Sequence, residues 1–123
     1  MKAYGRKAWL VADAFWPEVD NGAYNSHESV CVLNTGANDA HMRITLFFED
    51  RPAMGCFEAV CMAGRTNHVR MDKIRGAGGE AVPKGVPYAI MVESDEDVVV
   101  QYTRLDTTQP ELSLMTAMAW PVA

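Results

Sequence analysis

His41-Met42-Arg43-Ile44-Thr45-Leu46-Phe47-Phe48 is the stretch that decides the fold class. Met42, Ile44, Leu46 and Phe48 recur at every second position, with His41, Arg43 and Thr45 between them. A strand turns successive side chains to opposite faces, so this spacing gives one apolar face for a core and one polar face for solvent.

Working outward, comparable apolar runs occupy residues 8–12, 28–34, 56–62, 66–71, 87–93, 98–105 and 113–120. Turn chemistry separates them: Asn34-Thr35-Gly36-Ala37-Asn38-Asp39, Asp50-Arg51-Pro52, Ala63-Gly64, Gly76-Ala77-Gly78-Gly79 and Ser94-Asp95-Glu96-Asp97 all supply residues that accept tight or left-handed backbone. The pattern predicts an all-β antiparallel β-sandwich of about eight strands, as a single domain spanning residues 1–123. No segment shows a helical stripe, although Met71-Asp72-Lys73-Ile74 fits one turn. Val30-Cys31-Val32-Leu33, Val98-Val99-Val100 and the run from Leu114 to Trp120 are apolar on both faces. In a two-layer fold only one face of each sheet is covered, so these runs call for a second cover, most simply another subunit.

Composition agrees with one globular core: 123 residues, 49% hydrophobic and 22% charged. No apolar run approaches the roughly 20 residues of a membrane-spanning helix, and the N-terminus makes a poor signal peptide, which predicts a cytoplasmic protein. Cys31, Cys56 and Cys61 are odd in number, without the spacing of a disulfide framework or a zinc site, and are expected as free thiols. The net charge of −5 is uneven: residues 1–75 balance nine basic against nine acidic side chains, whereas residues 76–123 hold two and seven. That balance argues against general affinity for nucleic acid and leaves room for a local patch at Arg65, Arg70, Lys73 and Arg75.

Polar side chains gather in three places. Alternation puts Thr66, His68 and Arg70 on one side of 65–70, where a His between an Arg and a hydroxyl can bind an anion or a polyol; a solvated strand face fits as well. In Gln101-Tyr102-Thr103-Arg104-Leu105-Asp106, Gln101 and Thr103 share one face and Tyr102, Arg104 and Asp106 the other, which suits a ligand or a structural ion pair such as Arg104 with Asp106. Ser26-His27-Glu28 precedes a strand and follows the aromatic loop of Trp16, whose ring can stack on a sugar or cover a core edge. Catalysis has no positive sign. The three histidines lack helical metal-ligand spacing, no Ser or Cys sits in a Gly-x-Ser-x-Gly turn, and the 76–79 glycines lack the Lys and helix of a phosphate loop. No enzyme activity, metal or cofactor is expected.

Gly5-Arg6 with Trp9, Ser26-His27-Glu28 with Val30-Cys31 and Leu33-Asn34, Asp39-Ala40-His41, Arg65-Thr66 with His68-Val69-Arg70, and Val99-Val100-Gln101 with Thr103-Arg104-Leu105-Asp106 occur in the order of a known family. In these motifs the chain resembles the soluble sensory rhodopsin transducers of the Anabaena type, over nearly its whole length. The resemblance implies a cytoplasmic β-sandwich, a homotetramer, and docking on the cytoplasmic side of a microbial sensory rhodopsin. It also implies a small-molecule site, of the kind that takes sugars, at His27, Glu28, Arg65, His68, Arg70, Gln101, Thr103, Arg104 and Asp106, to which Trp16 is added from the loop. The expected function is a non-enzymatic signal relay that binds a small polar ligand. The alternatives are an adaptor on a rhodopsin or other membrane receptor, and a DNA-associated regulator.

Overall fold

The computed structural model describes residues 1–122, which form eight strands: β1 (Arg6–Phe15), β2 (His27–Asn34), β3 (Ala40–Phe48), β4 (Met54–Cys61), β5 (Arg65–Arg70), β6 (Pro87–Asp106), β7 (Ser113–Met118) and β8 (Trp120–Val122). There is no helix among the described residues; the 71–74 segment makes the expected turn, with Lys73 and Ile74 N–H both donating to the Arg70 carbonyl. All pairings are antiparallel, as the alternation of β3 requires. A first sheet runs β4-β3-β6-β1-β8, and a second runs β5-β2-β6-β7.

β6 belongs to both sheets, and here the structure corrects the sequence reading. Ser94-Asp95-Glu96-Asp97, expected as a turn between two strands, stays extended inside one strand of 20 residues. The acidic side chains find partners across the fold instead of closing a turn. Asp95 accepts the His41 backbone N–H at 2.7 Å and faces the His41 ring at 3.2 Å, and Glu96 accepts from the Asn38 amide at 3.2 Å. The bend between the sheets is visible in the register: the step from Arg6 to Ala8 on β1 spans Val98 to Glu93 on β6. The excess residues of β6 carry the strand from one sheet into the other, as a bulge does on a smaller scale.

The C-terminal run also differs from the single strand expected over 113–120. It divides at the buried Ala119, whose N–H donates to Val100, so that β7 closes the second sheet and β8 the first. The core lies between the sheets. Trp9, Ile44, Leu46, Phe57, Ile90 and Val92 reach it from the first sheet, and Val30, Val32, Val69, Val98, Val100 and Tyr102 from the second. Each fully buried apolar side chain of this size contributes roughly 1.5–3 kcal/mol, so the alternation that marks the strands is also the main source of stability. The three cysteines are free, with Cys61 buried and its Sγ directed at the Val32 carbonyl of the opposite sheet.

Candidate functional site

Period two divides the second sheet into a core face and an outer face, and the ladder lines the outer side chains up in rows. His68, Cys31, Gln101 and Met118 are successive cross-strand neighbours on β5, β2, β6 and β7. Arg70, Ser29, Thr103 and Thr116 form the next row, Thr66, Leu33 and Val99 flank them on one side, and His27, Leu105 and Leu114 on the other. Directly opposed side chains lie within about 5.5 Å of each other at Cβ, so each row is a set of touching neighbours. Cys31, Leu33, Thr66, His68, Val99 and Gln101 surround a hollow of about 220 Å³.

The expected site residues therefore do not converge on one pocket. His27, His68, Arg70, Gln101 and Thr103 share the outer face of the second sheet, whereas Glu28, Arg104 and Asp106 have the opposite parity and turn toward its inner side. Arg65, at the start of β5, lines a separate hollow with Val60, Met62, Thr66 and Asn67. Trp16 lies in the loop after β1, its indole N–H donating to the Ser26 carbonyl and the Lys84 ammonium 4.8 Å above the ring. One face of that indole is thus already taken by a cation.

Hydrogen bonding separates these residues further. Arg70 holds Asp72 through two parallel bonds of 2.8 and 2.9 Å, and His27 Nδ1 meets the Asn25 carbonyl at 2.9 Å. Asp106 accepts from the backbone and hydroxyl of Thr108, two bonds that hold its carboxyl below the usual range. Arg104 pairs with Asp13 and Tyr102, and the pairing with Asp106 suggested by their spacing does not form. Among the described residues, Arg65, His68 and Gln101 make no side-chain hydrogen bond within the chain, and Thr103 meets only the Thr116 hydroxyl at 3.1 Å and Cys31 Sγ at 4.0 Å. These are the polar groups with capacity to spare for another molecule. No cluster of three or more His, Cys, Asp or Glu side chains suited to a metal occurs among the described residues.

Glu28 is 1% exposed and committed within the fold. Its Oε1 accepts from the Tyr88 hydroxyl; its Oε2 accepts from the Tyr102 hydroxyl and from the Phe15 N–H at 2.8 Å. Burial, and then the adjoining carboxylate, push both phenols up, far beyond their ordinary range, so both remain donors. The sequence reading did not single out Tyr88. Its one sign was placement: Tyr88 and Tyr102 stand seven residues either side of Asp95 and share the buried parity of β6.

Fold and site together define an all-β module of two sheets sharing one bent strand, with an uncovered mixed polar and apolar outer face. Residues 4–121 match the model of the family described as Anabaena sensory rhodopsin transducer. The solved structure of the Anabaena sensory rhodopsin transducer aligns over 84% of this chain and 100% of its own at 33% identity, with a TM-score of 0.75. The crystal structure of Thermotoga maritima 1070 aligns over 96% of both chains at 36% identity, with a TM-score of 0.84. The chain belongs to the Anabaena sensory rhodopsin transducer family. No curated protein matches it.

Proposed function

We propose that the chain is a non-enzymatic, cytoplasmic signal relay that works as a homo-oligomer, the tetramer its family resemblance implies. The outer face of the second sheet serves as both a subunit contact and a site for a small polar, sugar-like ligand. The observation that carries this reading is the adjacency of Gln101 and Thr103 to β7, all six of whose side chains are exposed, with His68 in the same cross-strand row as Gln101 beyond Cys31. Donors with spare capacity thus stand beside Leu114 at 69% and Met118 at 58% exposure, apolar surface that a lone chain would leave in water.

Size favours a shared site. Small-molecule pockets usually measure about 300–1,000 Å³ and bury most of the ligand. The hollow of about 220 Å³ at Cys31 and His68 is smaller and open, so a second wall from another copy would complete it. The test is a thermal-shift screen of sugars and sugar acids, with oligomer mass followed by light scattering. A ligand at 100 times its Kd should stabilise the fold by about 2.7 kcal/mol, and the shift should vanish in a His68→Ala, Gln101→Ala variant. A broad panel without any shift overturns the ligand reading.

The name of the Anabaena relative, a sensory rhodopsin transducer, supports a second reading, an adaptor on the cytoplasmic face of a sensory rhodopsin or another membrane receptor. Cytoplasmic loops of membrane proteins are rich in Lys and Arg. The bend of β6 offers a complement in Glu93, Asp95, Glu96 and Asp97, of which Asp95 and Glu96 already have partners within the chain. Binding to receptor-bearing membranes should weaken when Glu93 and Asp97 are both changed to Lys; unchanged binding counts against this contact.

A further inference from the structure

β6 is the one strand among the described residues that hydrogen-bonds in both sheets, and its two halves meet again on a single side chain. Tyr88 lies in the half paired with β1 and β3, and Tyr102 in the half paired with β2 and β7. Extended without a bend, the 14 residue steps from Tyr88 to Tyr102 would place their Cα atoms about 46 Å apart at 3.3 Å per residue. Both hydroxyls nonetheless donate to Glu28, one to each carboxylate oxygen. The Phe15 N–H at the end of β1 joins Tyr102 on Oε2. One carboxylate therefore fixes the angle at which β6 passes from the first sheet to the second.

We propose that Glu28, Tyr88 and Tyr102 form a clasp through which a disturbance on the outer face of the second sheet reaches the outer face of the first. Each end of the clasp adjoins one of those faces through its neighbours in the chain. His27, next to Glu28 in the chain, stands on the outer face of the second sheet opposite Leu105. Tyr88 lines a hollow of about 240 Å³ on the first sheet with Ala12, Phe47, Pro87 and Ala89. The connection is short: a displacement of β2 at His27 moves the backbone that carries Glu28, and Glu28 cannot move without shifting or releasing Tyr88.

The chemistry favours discrete rather than graded movement. A buried carboxylate with all its donors in place is well held, and one that loses a donor is left under-solvated, so the group resists intermediate positions. Packed interiors likewise shift between arrangements rather than deform continuously. Arg104 is the charged group nearest the clasp, its Nε donating to the Tyr102 hydroxyl at 3.1 Å while its outer nitrogen holds Asp13. It steadies Tyr102 from behind and leaves both oxygens of Glu28 to the tyrosines and Phe15. Glu28, Tyr88 and Tyr102 are accordingly positioning residues, not ligand contacts.

The test needs no ligand, so it stands or falls separately from the sugar-site reading. Backbone amide shifts of the full-length protein are compared with and without His68→Ala, a change on the outer face of the second sheet, in three backgrounds: wild type, Tyr88→Phe and Tyr102→Phe. In the wild-type background the amides of Phe47, Ala89 and Met91 in the first sheet should shift. In both Phe backgrounds those shifts should be lost, while shifts within the second sheet persist. Val82→Ala, a cavity elsewhere in the core, should lower stability yet leave the transmission intact, which separates coupling from fold maintenance. Shifts confined to the second sheet in the wild-type background overturn the proposal, whether or not the Phe variants fold. First-sheet shifts that survive either Phe substitution overturn it as well.

Discussion

The Trp9 indole N–H donates to the Val98 carbonyl at 2.9 Å, although the backbone partner of Trp9 on β6 is Val92. The side chain reaches past the bend that its own backbone stops short of, and it also meets the Arg6 carbonyl at 3.0 Å. Val98 is fully buried and follows the acidic residues of the bend, so the indole bond to its carbonyl is shielded from water. Trp9→Phe keeps an aromatic in the core and removes the donor. It should destabilise the fold by about 2–3 kcal/mol, combining the loss of a buried hydrogen bond with lost volume. In urea unfolding this appears as a lower midpoint at unchanged slope; a loss under about 0.5 kcal/mol would mean that the bond is dispensable.

The same carbonyl sets the requirement at Gly5. Its φ of 115° lies in the region that L side chains avoid, and a Cβ built there would collide with the Val98 carbonyl. Gly22, at φ 86°, has nothing within 4 Å of the corresponding position. Gly5→Ala should therefore cost more than about 3 kcal/mol or prevent folding, whereas Gly22→Ala should cost only its backbone strain, about 1–2 kcal/mol. Equal melting temperatures for the two variants would refute the distinction.

Acid should act on the Arg70–Asp72 pair. Burial alone would raise the Asp72 carboxyl, but the two hydrogen bonds and the charge of Arg70 outweigh it and hold the group below its ordinary value. A carboxyl depressed in the folded state stabilises above its unfolded pKa, near 3.8 here, and loses that contribution as pH falls through the lower folded value. Asp72→Asn should then cost about 1 kcal/mol at neutral pH. The gap from wild type should close as pH is lowered from about 5 toward 2, and a gap independent of pH would exclude the ion pair as its source.

What the sequence made legible follows from what is local. Period two in 41–48 and 98–105 assigned strands and faces correctly, because alternation is a property of the backbone; Thr66, His68 and Arg70 do share a face, as do Gln101 and Thr103. The continuity of β6 was hidden because Ser94-Asp95-Glu96-Asp97 has turn-like composition, and what keeps it extended is His41 and Asn38, more than 50 residues away in the chain. The site was half legible for the same reason. Parity separated Gln101 from Arg104, but that Glu28 is enclosed by Tyr88 and Tyr102 depends on how sharply β6 bends, which no local pattern records.

Among the described residues four strands form sheet edges, and three of them carry features that discourage further pairing: Glu58 in β4, Arg65, His68 and Arg70 in β5, and Pro121 in β8. β7 has neither charge nor proline, and no charged residue occurs from Leu112 to Val122. Such an edge invites another strand. A second copy suits it on electrostatic grounds, since each chain carries −5 overall and two copies meeting here bring no like charges together. Met118→Lys places an ammonium on this edge at a side chain that is already 58% exposed, so the isolated fold should lose less than about 0.5 kcal/mol. The proposed oligomer should nevertheless dissociate, with the light-scattering mass at equal protein concentration falling by half or more. If the mass holds while Leu114→Lys is equally silent, the subunits meet elsewhere, and the exposed apolar side chains of β7 await a different partner.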